Sequence, residues 1–178
     1  AVLNEIGKSV LIVAHSNAAV DVAIVNMMRY SSTSSQYENS EIIRLGPTKN
    51  PDIEKYPKLN IHEGIRFIDP PLYQELKSIE KKRDELVQRA RSAKTSEFEQ
   101  ERIKNDLFEV KSRLLTLRER IRTMEKELLA KAKIVGCTLS KATISPDIFN
   151  RRFDAVLLDE ASMAYIPHCL FASSLSFE

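Results

Sequence analysis

The sequence is short of cysteine: only Cys137 and Cys169 occur in 178 residues, far apart and in no paired motif. That excludes a disulfide scaffold and fits a reducing compartment, cytoplasmic or nuclear. Charge of one sign is also lacking. Lys and Arg number 27 against 25 Asp and Glu, a net charge of +2. Any basic footprint for nucleic acid must therefore be local. The three histidines, His15, His62 and His168, fall at no metal-ligand spacing. No apolar run nears the roughly 18–20 residues that a membrane span needs. An initiator methionine is missing too. The chain opens in mid-pattern on Ala1-Val2-Leu3 and stops as abruptly at Phe177-Glu178. This reads as a piece of a longer protein.

A glycine-rich phosphate loop is the last absence. Gly7-Lys8-Ser9 resembles the tail of G-x-x-x-x-G-K-[ST], but Val2 stands where the first glycine belongs. The local order is also reversed: a strand should come before the loop and a helix after it. A turn leading into a strand is the better account.

What is present is 43% apolar and 29% charged, enough for one domain with an appendage. Four short apolar runs read as strands: Ser9–Ala14, Glu41–Leu45, Lys133–Leu139 and Ala155–Leu158. The first is preceded by a helix end at Val2–Ile6, closed by Gly7. It is followed by a helix whose stripe is Val20, Ile24, Met27 and Met28, with Ser16 or Asn17 as N-cap. Residues 31–40 are polar and serine-rich and read as a surface loop. Residues 47–71 hold five of the seven prolines and read as an irregular connection with at most a short helical turn. Ser140–Asn150 reads as a loop with a short helix, and Ser162–Leu175 as a helix start broken by Pro167.

Between the second and third strands the composition changes. Leu72, Leu76, Ile79, Leu86, Ala90 and Ala93 alternate at spacings of four and three, with Arg83 in one gap. Ile103, Leu107, Val110, Leu114, Leu117, Ile121, Met124 and Leu128 do so without a break. These are heptad a and d positions. The register fails near Lys94-Thr95-Ser96, which predicts a turn and an antiparallel helical hairpin, with a single unbroken helix as the rival reading. Each arm would be about 35–50 Å long at 1.5 Å per residue. The rival reading of function is a coiled-coil interaction module that self-associates through the second seam, with the α/β part as a scaffold without catalytic role. The basic residues of the hairpin alternate with acidic ones, as on a solvated face; a small local excess could also meet a nucleic-acid backbone. The order of elements gives an α/β core in three stretches: residues 1–70, an inserted hairpin over 71–131, and residues 132–178.

The run before Asp159-Glu160-Ala161-Ser162 reads as a strand buried on both faces of a parallel sheet. It would deliver two carboxylates to the edge where open α/β sheets bind ligands. There, Asp159 can hold Mg²⁺ through water while Glu160 orients or deprotonates an attacking water. A strand followed by a charged helix cap is the plain alternative.

Three segments, in order, resemble superfamily 1 helicases of the Upf1-like branch. Leu11-Ile12-Val13-Ala14-His15-Ser16-Asn17-Ala18-Ala19-Val20-Asp21 is similar to motif Ia, with His15 where proline is usual. Ile134-Val135-Gly136-Cys137-Thr138-Leu139-Ser140 is similar to the following strand and its Thr-Leu turn. Val156-Leu157-Leu158-Asp159-Glu160-Ala161-Ser162 is similar to motif II, the D-E-A-[SA] form of Walker B, with Met163 where glutamine is common. Ile43-Arg44-Leu45-Gly46 also fits the Arg-x-Gly strand end of this branch. The resemblance covers about half of the chain. It implies part of a first RecA-like domain of the P-loop NTPase type, spanning motifs Ia to II, with the hairpin as a variable insertion. It implies ATP and Mg²⁺ as cofactors of the full-length protein and single-stranded DNA or RNA as partner. Asp159 and Glu160 are then the metal and water residues. Ser16, Asn17 and Thr138 are then contacts to the strand. Because the Walker A loop would precede Ala1, the chain by itself is expected to carry neither cofactor. Its sheet edges, left open, would invite self-association.

Overall fold

The computed structural model describes residues 7–29, 34–91 and 97–177. The helix expected at Val2–Ile6 and the turn expected at Lys94–Ser96 lie outside them. The chain divides into two compact units, one of residues 65–124 and one of the stretches before and after.

The first unit is built on a four-stranded, all-parallel sheet in the order β2-β3-β1-β4. Its strands are β1 (Val10–Ala14), β2 (Ile42–Arg44), β3 (Ile134–Thr138) and β4 (Ala155–Asp159). This mixed α/β architecture is that of a partial RecA-like P-loop fold. Parallel neighbours need crossovers. Helix α1 (Asn17–Met28) returns the chain from β1 toward β2. The apolar runs of β1, β2 and β3 are buried on both faces, and side-chain alternation divides them between two cores. Val10, Ile12, Ala14, Ile42 and Ile134 pack under α1 with Val20, Ile24 and Met28. Leu11, Val13, Ile43, Val135 and Cys137 face the other way, onto Phe153, Leu139, Ile148 and Leu175. Burial in that second core pushes the Cys137 thiol up to about 12, so it stays protonated and unreactive.

Close packing of α1 depends on Gly136. A Cβ there would come within 2.8 Å of Ile24 Cδ1 and 3.3 Å of Val20 Cγ1. A glycine in mid-strand is thus explained by the approach of a helix rather than by a bulge.

Several segments are more helical than their composition suggested. The serine-rich stretch holds a short helix, α2 (Ser34–Glu38), followed by Ser40 at φ 57°. The proline-rich connection holds α3 (Pro51–Glu54), a 3₁₀ turn at Pro57–Leu59 and α4 (Ile61–Ile68). Proline there occupies first helical positions, where its missing N–H costs nothing. Beyond lie α5 (Pro70–Arg91) and α6 (Glu97–Lys131). After β3 come α7 (Leu139–Ile144) and α8 (Pro146–Phe149), two short helices where one was expected. Pro167 does not break the last helix, α9 (Ile166–Ser174). It lies in its first turn.

The second unit is a helical pair. Leu86, Val110 and Leu114 are buried together, with Leu76, Ile79 and Leu107 packed against them. Arg113 pairs with Glu75, and Arg120 Nη2 lies 3.2 Å from Asp69 Oδ2. Arg118 Nη2 adds a third pair, 3.8 Å from Glu80 Oε1, so apolar and charged contacts both join the two helices. Along α6, Ile103, Val110, Leu114 and Leu117 of the apolar seam are buried, whereas Ala90, an apolar position of the first arm, is exposed.

The largest correction concerns β4. It pairs with β1 on one side only and is an edge strand among the described residues. Leu157 is 49% exposed rather than buried on an inner strand. Its start is fastened firmly. The carboxylate of Asp154 accepts from Ser9 N (2.8 Å), Ser9 Oγ (2.7 Å) and Lys8 Nζ (2.9 Å). Gly7-Lys8-Ser9 therefore serves the β1–β4 junction. The Ser9 backbone N–H, then Lys8 and the Ser9 hydroxyl, hold this carboxyl well below the usual range. A depressed carboxyl adds stability that is complete above its unfolded value of about 4 and fades as pH falls through its folded value. Asp154→Asn should therefore lower the urea midpoint at pH 7. The gap to wild type should narrow steadily below about pH 4. Parallel curves at pH 7 and pH 3 would refute the link.

Candidate functional site at the C-terminal edge of the sheet

Four parallel strands present all their C-terminal ends at one edge. In register, Ala14 aligns with Thr138 on one side and with Asp159 on the other. Asp159, the residues that follow Ala14, and Thr138 therefore stand level on three adjacent strands, each about 5 Å from the next. The sequence-predicted residues Asp159, Glu160, Ser16, Asn17 and Thr138 are all brought to this edge.

Asp159 ends β4, and Glu160 begins the turn beyond it with φ 52° and ψ 42°. A left-handed backbone is unusual for glutamate and is a form of stored strain. It is held in part by the Glu160 N–H, which donates to Asp159 Oδ1 at 2.9 Å. Both residues are exposed. The other oxygen of Asp159 and the whole Glu160 carboxylate have no partner among the described residues. No group of three or more His, Cys, Asp or Glu side chains capable of holding a metal occurs among the described residues. The free oxygen of Asp159, at an open edge, fits Mg²⁺, which keeps most of its waters and takes one or two carboxylates.

Ser16 is the N-cap of α1: its Oγ accepts from Ala19 N at 3.1 Å. Thr138 caps α7 in the same way, accepting from Lys141 N at 3.2 Å. Capping uses a lone pair, and each hydroxyl retains its O–H to donate outward. Capping and anion contact are compatible here, not alternatives.

Sequence reasoning missed the group beneath Asn17. Arg44 is wholly buried and Asp21 is 2% exposed. Arg44 Nε donates to Asp21 Oδ1 (2.8 Å), Nη1 to Leu45 O (2.8 Å) and Nη2 to Asn17 Oδ1 (2.9 Å). Thr48 Oγ1 donates to the second Asp21 oxygen at 2.6 Å. A signal was available. An arginine inside Ile42-Ile43-Arg44-Leu45 must bring a buried partner, because an unpaired charge there is prohibitive.

A family model described as an AAA domain matches residues 3–177. The chain belongs to this family. AAA domains of this kind are found in Upf1-like superfamily 1 helicases and are associated with helicase-type, nucleotide-dependent activity. No curated protein matches the chain. No helix among the described residues is long and apolar enough to cross a membrane.

Proposed function

We propose that this AAA domain is part of a superfamily 1 motor, of the Upf1-like branch, that couples ATP hydrolysis to movement on single-stranded nucleic acid. The observation that carries this reading is the strand tip of β4. Two adjacent carboxylates, one of them on strained backbone, share an edge with the N-terminus of α1 and with Thr138. Asp159 would hold Mg²⁺ through water, and the ion would supply charge neutralisation at the γ-phosphate. Glu160 would orient the attacking water and take its proton. At Ser16 and Asn17, hydroxyl, amide and backbone donors with the helix dipole behind them suit a phosphate of the strand. Thr138 would add a third donor.

The test is ATP turnover by the full-length protein with single-stranded DNA, with single-stranded RNA and with neither. Stimulation by at least one of them is expected. Turnover that ignores both would sink the motor reading. The 178-residue chain by itself should bind ATP weakly and not hydrolyse it. Its Gly7-Lys8-Ser9 turn is committed to Asp154 and leads into a strand, so it wraps no phosphates.

A further inference from the structure

Arg44 does more than fill a core position. An arginine side chain has only donors. The amide atom of Asn17 that faces Arg44 Nη2 at 2.9 Å is therefore its oxygen, and Nδ2 turns away. Asn17 is exposed, and its Nδ2 has no partner among the described residues. The same guanidinium reaches Asp21, Asp21 holds the Thr48 hydroxyl, and Thr48 Oγ1 accepts from Asn50 N at 3.1 Å. One chain of hydrogen bonds thus ties the first turn of α1 to the loop after β2.

Between them lies a cleft of about 470 Å³ whose lining includes Asn17, Ala18, Val22, Pro47 and Lys49. Lys49 is exposed and makes no ion pair among the described residues. The loop can approach this closely because Gly46 has φ +104°. A Cβ there would stand 3.0 Å from Arg44 Nη1 and 3.7 Å from Asn17 Oδ1.

We propose that Asn17 Nδ2 and Lys49 Nζ take one backbone phosphate of the single strand between them. Arg44, Asp21 and Thr48 are the positioning residues that hold the two donors on either side of the cleft. This rests on the strand-binding role of the α1 N-terminus proposed above. It adds Lys49 as a contact and fixes Asn17 as a donor, not an acceptor.

The experiment is fluorescence anisotropy of the full-length protein on labelled oligo(dT) and oligo(U), repeated across salt concentrations. Lys49→Ala should weaken binding and flatten the log–log salt slope by about 0.7, the share of one phosphate on a single strand. Asn17→Asp should bind at least about tenfold more weakly than Asn17→Ala, because it turns a carboxylate oxygen toward the phosphate. Its melting temperature should not fall below wild type. A carboxylate beside Arg44, in the first turn of a helix, is favourable. Arg44→Lys keeps the charge opposite Asp21 but loses the fork to Asn17. It should weaken binding as Asn17→Ala does and add nothing in that background.

An unchanged salt slope in Lys49→Ala would overturn the clamp. So would Asn17→Asp binding as well as Asn17→Ala. If Arg44→Lys costs the same factor with and without the Asn17 amide, the positioning role falls. In these cases wild-type binding persists and the motor reading stands. A wild-type protein that binds neither oligonucleotide overturns both.

Discussion

Glu160→Gln in the full-length protein is expected to lower the rate of ATP turnover by about 10²–10⁴-fold, the usual share of a positioned general base. Nucleotide affinity should change little, because the substitution keeps shape and removes only basicity. The expectation rests on how Glu160 is held. Its carboxylate has no partner among the described residues, so the fold makes no use of it. Its backbone is in the left-handed region, which costs a non-glycine residue roughly 1–2 kcal/mol. Glutamate at that position lowers stability and contributes no packing, which is the pattern of a residue held for chemistry. Glu160→Gly separates the two effects. Relief of the strain, less the roughly 0.5–1 kcal/mol of extra chain entropy that glycine loses on folding, should leave the fold no less stable and up to about 1.5 kcal/mol more stable. Turnover should be lost as completely as in Glu160→Gln. Wild-type turnover in Glu160→Gln would end the assignment, and a less stable Glu160→Gly would show that the turn needs its glutamate for another reason.

How much of this was legible in the residues alone follows from physics. Buried strands announce themselves by unbroken apolar runs, and all four were readable to within one or two residues. The carboxylate pair was readable because it follows such a run directly. The edge position of β4 was not. A strand that is apolar on both faces has the same composition whether or not a further strand lies beside it, and Leu157 carries no mark of its own exposure. Short helices escaped for a different reason. Segments of four to six residues such as α2, α3 and α8 are too brief to show a period of 3.6. Proline in the first turn of α3 and α8 reads as a breaker unless its place is already known. The Arg44–Asp21 pair was hidden by sequence distance. Arg44 was visible as an oddity within an apolar strand, but its partner lies on another element, behind the stripe of α1.

That pair carries the second large effect. Arg44→Met should cost about 3–5 kcal/mol of folding stability, the usual penalty for stranding one member of a buried ion pair. Asp21, at 2% exposure, would keep only the Thr48 hydroxyl on one of its oxygens. Leu45 O and Asn17 Oδ1 would lose donors as well. Against a typical total of about 5–15 kcal/mol, such a loss brings the fold close to its limit. Urea denaturation at pH 7 would read it as a lower midpoint with an unchanged slope. The double variant Arg44→Met with Asp21→Leu should recover most of the loss, because apolar groups of similar volume replace both charges together. If stability alone explained the pair, that double variant would serve as well as wild type. With its apolar core restored, it would still lack the guanidinium that turns the Asn17 amide outward. It should therefore fold nearly as firmly as wild type yet hold single-stranded nucleic acid no better than Asn17→Ala. A single Arg44→Met that costs under about 1 kcal/mol would mean that water or backbone groups can replace the guanidinium, and the brace would lose its claim to hold α1 and the β2 loop together.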